Sequence, residues 1–140
     1  MKRAIRILLC VLAASLFAMS CSKTTLNSIA ISGKWTLLKT VTTENGAEVE
    51  TWYPATSGMT VDFLFESGGY HLKTETSVTG ITHSEGSWLV DNNELIVTYS
   101  KGSYRYYIEK AGLLELILRE TYTEHGHTYV DILTLKHLSE

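Results

Sequence analysis

From Gly33 to the C-terminus, apolar and polar residues alternate with a period of two, and no stretch carries the helical period. The runs are short and end at clusters of Gly, Asn, Ser and Asp. They predict eight strands: Lys34 to Thr43, Thr60 to Phe65, Tyr70 to Thr76, Ile81 to Val90, Leu95 to Tyr99, Tyr104 to Ile108, Leu114 to Tyr122, and Thr128 to Leu138. Pairing across the turns tests the reading. Around Ser67-Gly68-Gly69, setting Phe65 against Tyr70 places Phe63 against Leu72 and Val61 against Thr74, with His71, Lys73 and Glu75 facing solvent. Around Asp91 to Glu94, Val90 meets Leu95 and Trp88 meets Val97. Around Ser100 to Ser103, Tyr99 meets Tyr104, Val97 meets Tyr106 and Leu95 meets Ile108. One apolar face continues through all of these strands and then through Leu114, Leu116 and Leu118. For the last strand, Leu118 against Leu133 and Leu116 against Leu135 is the register preferred over its one-residue slip, which would turn Val130 and Ile132 inward.

Short turns between neighbouring strands that share one apolar face describe an all-β, antiparallel up-and-down meander. Eight strands suffice to close it into a small barrel, which removes the open edges. Gly33 and the turns at Gly68, Asn92 and Ala111 then lie at one end. The segments Glu44 to Met59, Ser77 to Gly80, Ser100 to Ser103 and Glu124 to His127 lie at the other. Trp35 and Trp88, with Gly33, are placed as a floor at the first end. Glu44 to Met59 is longer than a hairpin needs and contains Trp52-Tyr53-Pro54, so it reads as a lid or as a surface loop pinned to the rim. Inward positions near the mouth are Lys39, Thr74, Thr76, Tyr99, Tyr104, Tyr122 and Tyr129, with Tyr106 deeper.

The first residues change the picture of where this barrel sits. Lys2, Arg3 and Arg6 precede the apolar run Ile7 to Phe17 and then Ala18-Met19-Ser20-Cys21, a lipoprotein signal over residues 1–20. The apolar run is about 11 residues, short of the ~20 needed to span a bilayer. Cleavage would leave Cys21 as the first residue, with its thiol carrying fatty acyl chains, and two or three such chains hold a protein on a membrane permanently. Residues 21–30 read as the lipidated cysteine and a flexible tether, and 31–140 as the barrel domain. Cys10 leaves with the signal, so the mature chain has no pair of thiols to oxidise.

Gly33-Lys34-Trp35 on the first of eight strands resembles the Gly-x-Trp start of lipocalins. The whole arrangement is similar to the compact lipocalin-like lipoproteins of Bacteroidetes, in which a lipobox cysteine and a short tether precede that strand. Gly86-Ser87-Trp88 before the Asn turn and the terminal Leu133-Thr134-Leu135-Lys136 add to the likeness. The Thr-Asp-Tyr loop, terminal arginine and C-terminal helix of larger secreted lipocalins are missing from the sequence. The resemblance implies attachment to the outer membrane. Ser22-Lys23-Thr24-Thr25 lacks the acidic cluster resembling a surface-export tag, which favours the periplasmic side.

Charge and composition narrow the function. The formal charge is -3, and it becomes more negative once Lys2, Arg3 and Arg6 are removed; no basic run is present. That excludes a nucleic-acid binder relying on clustered cations. No phosphate loop, no Gly-x-Ser-x-Gly and no free thiol appears, so no enzyme activity and no cofactor are expected. His125 and His127 flank a turn near Glu120 and Asp131 and could join a metal site, but a solvated polar turn accounts for them as well. Two functions follow. In one, a monomeric barrel binds a small hydrophobic or amphipathic molecule through Lys39, Trp52, Tyr53, Tyr99, Tyr104, Tyr106, Tyr122 and Tyr129, with Lys39 suited to an anionic head group. In the other, a filled barrel uses outward Leu38, Leu64, Ile96, Tyr107 and Ile117 to engage a protein partner in the cell envelope.

Overall fold

The computed structural model describes residues 22–139, so the signal segment 1–20 and the lipidation position Cys21 lie outside the described residues. The elements are α1 (Lys23–Ile31), β1 (Gly33–Glu44), β2 (Ala47–Trp52), a 3-10 turn (Pro54–Ser57), β3 (Thr60–Phe65), β4 (Tyr70–Ser77) and β5 (Gly80–Asp91). They are followed by β6 (Glu94–Tyr99), β7 (Gly102–Ala111), β8 (Glu115–Glu124) and β9 (His127–Leu138). Strands β3 to β9 pair antiparallel in chain order, and β9 returns to pair with β1 along most of its length, closing an eight-stranded barrel. β2 is a ninth strand beside the upper half of β1.

The excursion read as a lid or as a loop pinned to the rim is therefore this strand and a short turn. Asn45 and Gly46 both have positive φ and make a two-residue turn that folds Ala47–Trp52 back on Thr40–Glu44. Asn-Gly is the strongest short hairpin signal because both turn positions require the left-handed region.

The expected flexible tether is helix α1. Nine residues form no stable helix alone. This one is held by the Ser22 hydroxyl accepting from the Thr25 N–H, by Asn27 Nδ2 donating to the Asn92 carbonyl at 2.8 Å, and by the Asn92 N–H donating to Thr24 Oγ1 at 2.8 Å. Ile31 is fully buried.

The β3–β4 register differs from the sequence reading by one residue, and a bulge in β1 reverses the face read for its upper half; together they decide which side chains face inward. Ser67-Gly68-Gly69 is a three-residue loop with Gly69 at positive φ, which sets Glu66 beside Tyr70 and Phe65 opposite His71. His71, Lys73 and Glu75 consequently share the inner face with Phe65, Phe63 and Val61, while Leu72, Thr74 and Thr76 turn outward. On β1 a bulge at Leu38 moves the register from Leu37↔Leu135 to Lys39↔Thr134. That rotates Lys39 and Val41 to the outer face and brings Thr40 and Thr42 inward.

Between β6 and β7 the slip is even-numbered, and between β7 and β8 a bulge at Glu109 sets Leu116 opposite Ala111; both leave the inward faces as read. Tyr99 pairs with Gly102, Val97 with Tyr104 and Leu95 with Tyr106, and Leu118 pairs with Ile108. Leu114 lies in the β7–β8 turn, 75% exposed, and does not join the inner face. The pairs Trp88↔Val97, Val90↔Leu95, Leu118↔Leu133 and Leu116↔Leu135 match the sequence reading.

The core fills the lower half of the barrel. Trp35, Leu95, Leu116 and Leu135 are fully buried, and Trp88, Val97 and Leu118 nearly so. Burying each such side chain contributes roughly 1.5–3 kcal/mol. Trp35 donates its indole N–H to the Ile31 carbonyl at 2.8 Å, which ties α1 to the floor. Trp88 donates to the Glu66 carbonyl at 2.7 Å. Gly33 has φ +130, and a Cβ there would meet His137 Nε2 at 2.9 Å, so this position needs glycine on both counts.

Candidate functional site

Above the floor the barrel is hollow. A cavity of about 820 Å³ opens at the end away from α1. Leu37, Val61, Phe63 and Leu133 form its apolar base, and Trp52, Tyr99, Tyr104 and Tyr106 its aromatic sides. Its charged and polar wall includes Lys73, Glu75, Glu120, Lys101, Thr82 and Ser84.

The shape of the mouth follows from unequal strand lengths. The ladder between β5 and β6 ends at Gly86↔Tyr99, so Gly80 to Glu85 continue upward with no partner on that side and bring Thr82 and Ser84 to the cavity, while His83 meets Thr74 on the outer face. Between β7 and β8 the ladder ends at Tyr107↔Arg119, and Tyr106 and Glu120 lie just beyond that point. The β8–β9 hairpin continues past the rim and carries the stacked pair Tyr122–Tyr129, with ring centroids 5.5 Å apart.

At the junction of core and cavity sits His71, with no exposed surface. Its ring stacks on Phe65 at 4.6 Å. Nδ1 lies 2.9 Å from the Leu64 carbonyl, which can only accept, so Nδ1 carries the proton. Nε2 lies 2.7 Å from the Tyr99 hydroxyl and must then accept from it. Burial, with the neighbouring Lys73 charge, lowers the imidazole to about 4, so His71 is neutral at pH 7. Burial pushes the Tyr99 hydroxyl up to about 12, aided by Tyr104 and Glu75, so it remains a donor. Gly86 makes room for this contact. A Cβ there would lie 2.1 Å from the Thr98 carbonyl oxygen and 3.2 Å from the Tyr99 ring.

Lys73 Nζ lies 2.9 Å from Glu75 Oε1, so the one cation deep in the wall already has a partner. Glu120 stands opposite Asp131, whose Oδ1 accepts from Thr42 Oγ1 at 2.6 Å. Desolvation raises the Glu120 carboxyl, and the Asp131 charge raises it further. Tyr106 is also raised, by burial and then by Glu120. Among the described residues Glu120 makes no ion pair.

Of the residues singled out in the sequence, Trp52, Tyr99, Tyr104 and Tyr106 come together on the cavity wall. Trp52 is positioned by its pairing with Thr40 and by its indole N–H donating to Ser57 Oγ at 3.0 Å. Tyr53 is 45% exposed and does not line the cavity. Tyr122 and Tyr129 lie above it, and Lys39 is outside the barrel opposite Thr134. Gly33, Trp35 and Trp88 are at the floor. His125 is 90% exposed, His127 pairs with Glu44, and no group of three metal-ligating side chains converges among the described residues. The sequence reading missed Lys73, Glu75 and Glu120 as wall residues. The three-residue length of the Ser67–Gly69 loop is the signal that would have turned the first two inward.

No family model matches the chain, and no curated protein sequence matches it. Among solved structures it is similar to lobster apocrustacyanin A1 (TM-score 0.52, 11% identity) and to apocrustacyanin C2 (TM-score 0.53, 12% identity). Each likeness covers 84% of this chain and 66% of the other. The siderocalin Ex-FABP also aligns, over 79% of this chain and 76% of its own, at 11% identity and TM-score 0.49. The crustacyanin matches support a lipocalin-like fold, and they extend to the fold alone.

Proposed function

We propose that this chain is a non-enzymatic, lipid-anchored protein of a bacterial cell envelope that holds a small amphipathic molecule in the upper half of its barrel. The observation that carries the reading is the cavity of about 820 Å³, with an apolar base and a wall of tyrosines and charged groups. Small-molecule sites are concave, of roughly 300–1,000 Å³, mostly apolar, and fitted with a few placed polar groups. A filled barrel presenting only its outer surface to a protein partner does not account for this volume.

Anchoring through Cys21 at the periplasmic face of the outer membrane is part of the same proposal. Its support is the lipobox-like Ala18-Met19-Ser20-Cys21 and the docking of Thr24 on the β5–β6 turn, at the end opposite the cavity. The anchored end and the open end would then face in opposite directions.

The test of binding is native mass spectrometry of the protein purified from its own cells. A bound small molecule, lost on denaturation, is expected. A clean apo mass, together with no uptake of amphipathic probes, overturns the reading. For the anchor, Cys21→Ala should remove the acyl mass and move the protein to the soluble fraction. Retention of the acyl mass by that variant would count against lipidation at this cysteine.

A further inference from the structure

The polar groups of the cavity differ in what they have left to offer. Three of its donors are already engaged: Lys73 on Glu75, the Tyr99 hydroxyl on His71, and the Trp52 indole N–H on Ser57. The His71 arrangement is firm because the Leu64 carbonyl fixes the imidazole tautomer, and that tautomer obliges Tyr99 to donate. What remains toward the cavity at Tyr99 is the acceptor side of its oxygen. Lys101 is exposed, on the β6–β7 turn at the rim.

The acceptors are in the opposite condition. Glu120 lines the cavity one step above the Leu118–Leu133 layer and has no cationic partner among the described residues. Asp131 directly across the strand pair adds negative charge, and Tyr106 on the same wall offers an aromatic ring. A carboxylate in this setting is penalised by desolvation and by its like-charged neighbour, and an incoming cation relieves both. An anionic group at this depth would meet the reverse, since it would face two carboxylates with Lys73 already held by Glu75, and only Lys101 at the exposed rim would remain to it.

We infer that the cavity selects amphipathic molecules whose polar group is a cation, such as a protonated amine, seated against Glu120 beside Tyr106. This rests on the ligand-binding reading above. A partly desolvated ammonium–carboxylate contact and a cation over an aromatic ring both gain where water is partly excluded.

Calorimetric titration with decylammonium, decanol and decanoate, each well below its micelle concentration, tests both readings separately. Decylammonium should bind about tenfold more tightly than decanoate at pH 7, and Glu120→Gln should remove about tenfold of that affinity while leaving decanol unchanged. The exposed control Glu109→Gln should alter none of the three. Decanoate binding as tightly as decylammonium, or an amine affinity unchanged in Glu120→Gln, overturns the inference and leaves ligand binding standing. If none of the three probes binds, the ligand-binding reading fails and this inference with it. The ranking in the unaltered protein decides the matter even if the variant does not fold.

Discussion

The two ends of the barrel are built on opposite rules. At the floor, each indole has its acceptor, Trp35 on Ile31 and Trp88 on Glu66, and α1 covers the strand ends with Ile31 fully buried. At the mouth, strands of unequal length leave the upper part of β5 unpaired on one side, and Glu120 faces the cavity without a counter-ion among the described residues. The contrast separates stability from function within one sheet. Interactions completed inside the chain hold the fold, and groups left incomplete are available to something outside it. His71 stands at the boundary, stacked on the core ring of Phe65 while orienting Tyr99 in the cavity wall.

The largest effect that would test this division is at the floor. Trp35→Ala should lower unfolding free energy by about 3–5 kcal/mol, read from urea denaturation, because the indole fills the core and ties down α1. Its folded fraction should still bind decanol with unchanged affinity; a ligand effect as large as the stability effect would break the distinction between the ends.

The boundary responds to pH. Below 6.5 the unfolded chain protonates His71, whereas the folded chain resists until about 4, so the unfolded state binds more protons and stability falls as pH drops. The loss between pH 7 and 4 should reach about 3 kcal/mol. Glu120 works the other way, because its raised carboxyl takes up a proton earlier in the folded state and adds stability as pH falls. Comparing urea midpoints of the unaltered protein and His71→Gln at both pH values isolates the histidine. Parallel pH dependences in the two proteins would show that His71 is not the titrating group.

Gly86→Ala should cost about 1–3 kcal/mol, measured by thermal unfolding, because its new methyl collides with the Thr98 carbonyl where the wall carries Tyr99. The smallest effect belongs to Lys39. With its side chain outside the barrel, Lys39→Ala should change amine and carboxylate binding by less than about twofold. A tenfold loss of decanoate affinity would place this lysine inside after all and reverse the assignment of the β1 face.

Much of the barrel was legible in the chain. Alternation located all eight barrel strands, the β5–β6 turn gave the pairing of Trp88 with Val97, and the preferred of two β8–β9 registers, Leu118 against Leu133, is the one observed. The ninth strand was legible too, in Asn45-Gly46, but the polar residues around it read as loop. Helix α1 was not, because its stability comes from Asn92, Thr24 and the covered floor, with no repeating apolar stripe of its own.

The cavity wall depended on two choices that residue type opposes. In Tyr70-His71-Leu72-Lys73-Thr74-Glu75, hydrophobicity favours turning Tyr70 and Leu72 inward; the three-residue loop turns His71, Lys73 and Glu75 inward instead. In β1, one bulged residue moved Lys39 from the inner face to the outer. The sequence by itself determined the strand order, the closed core and the tryptophans able to pack at its base, because period-two burial is a local property. Only the tertiary structure decided which face of β4 and of upper β1 looks inward, because a shift of one residue reverses every side chain and nothing local resists it where both faces are polar.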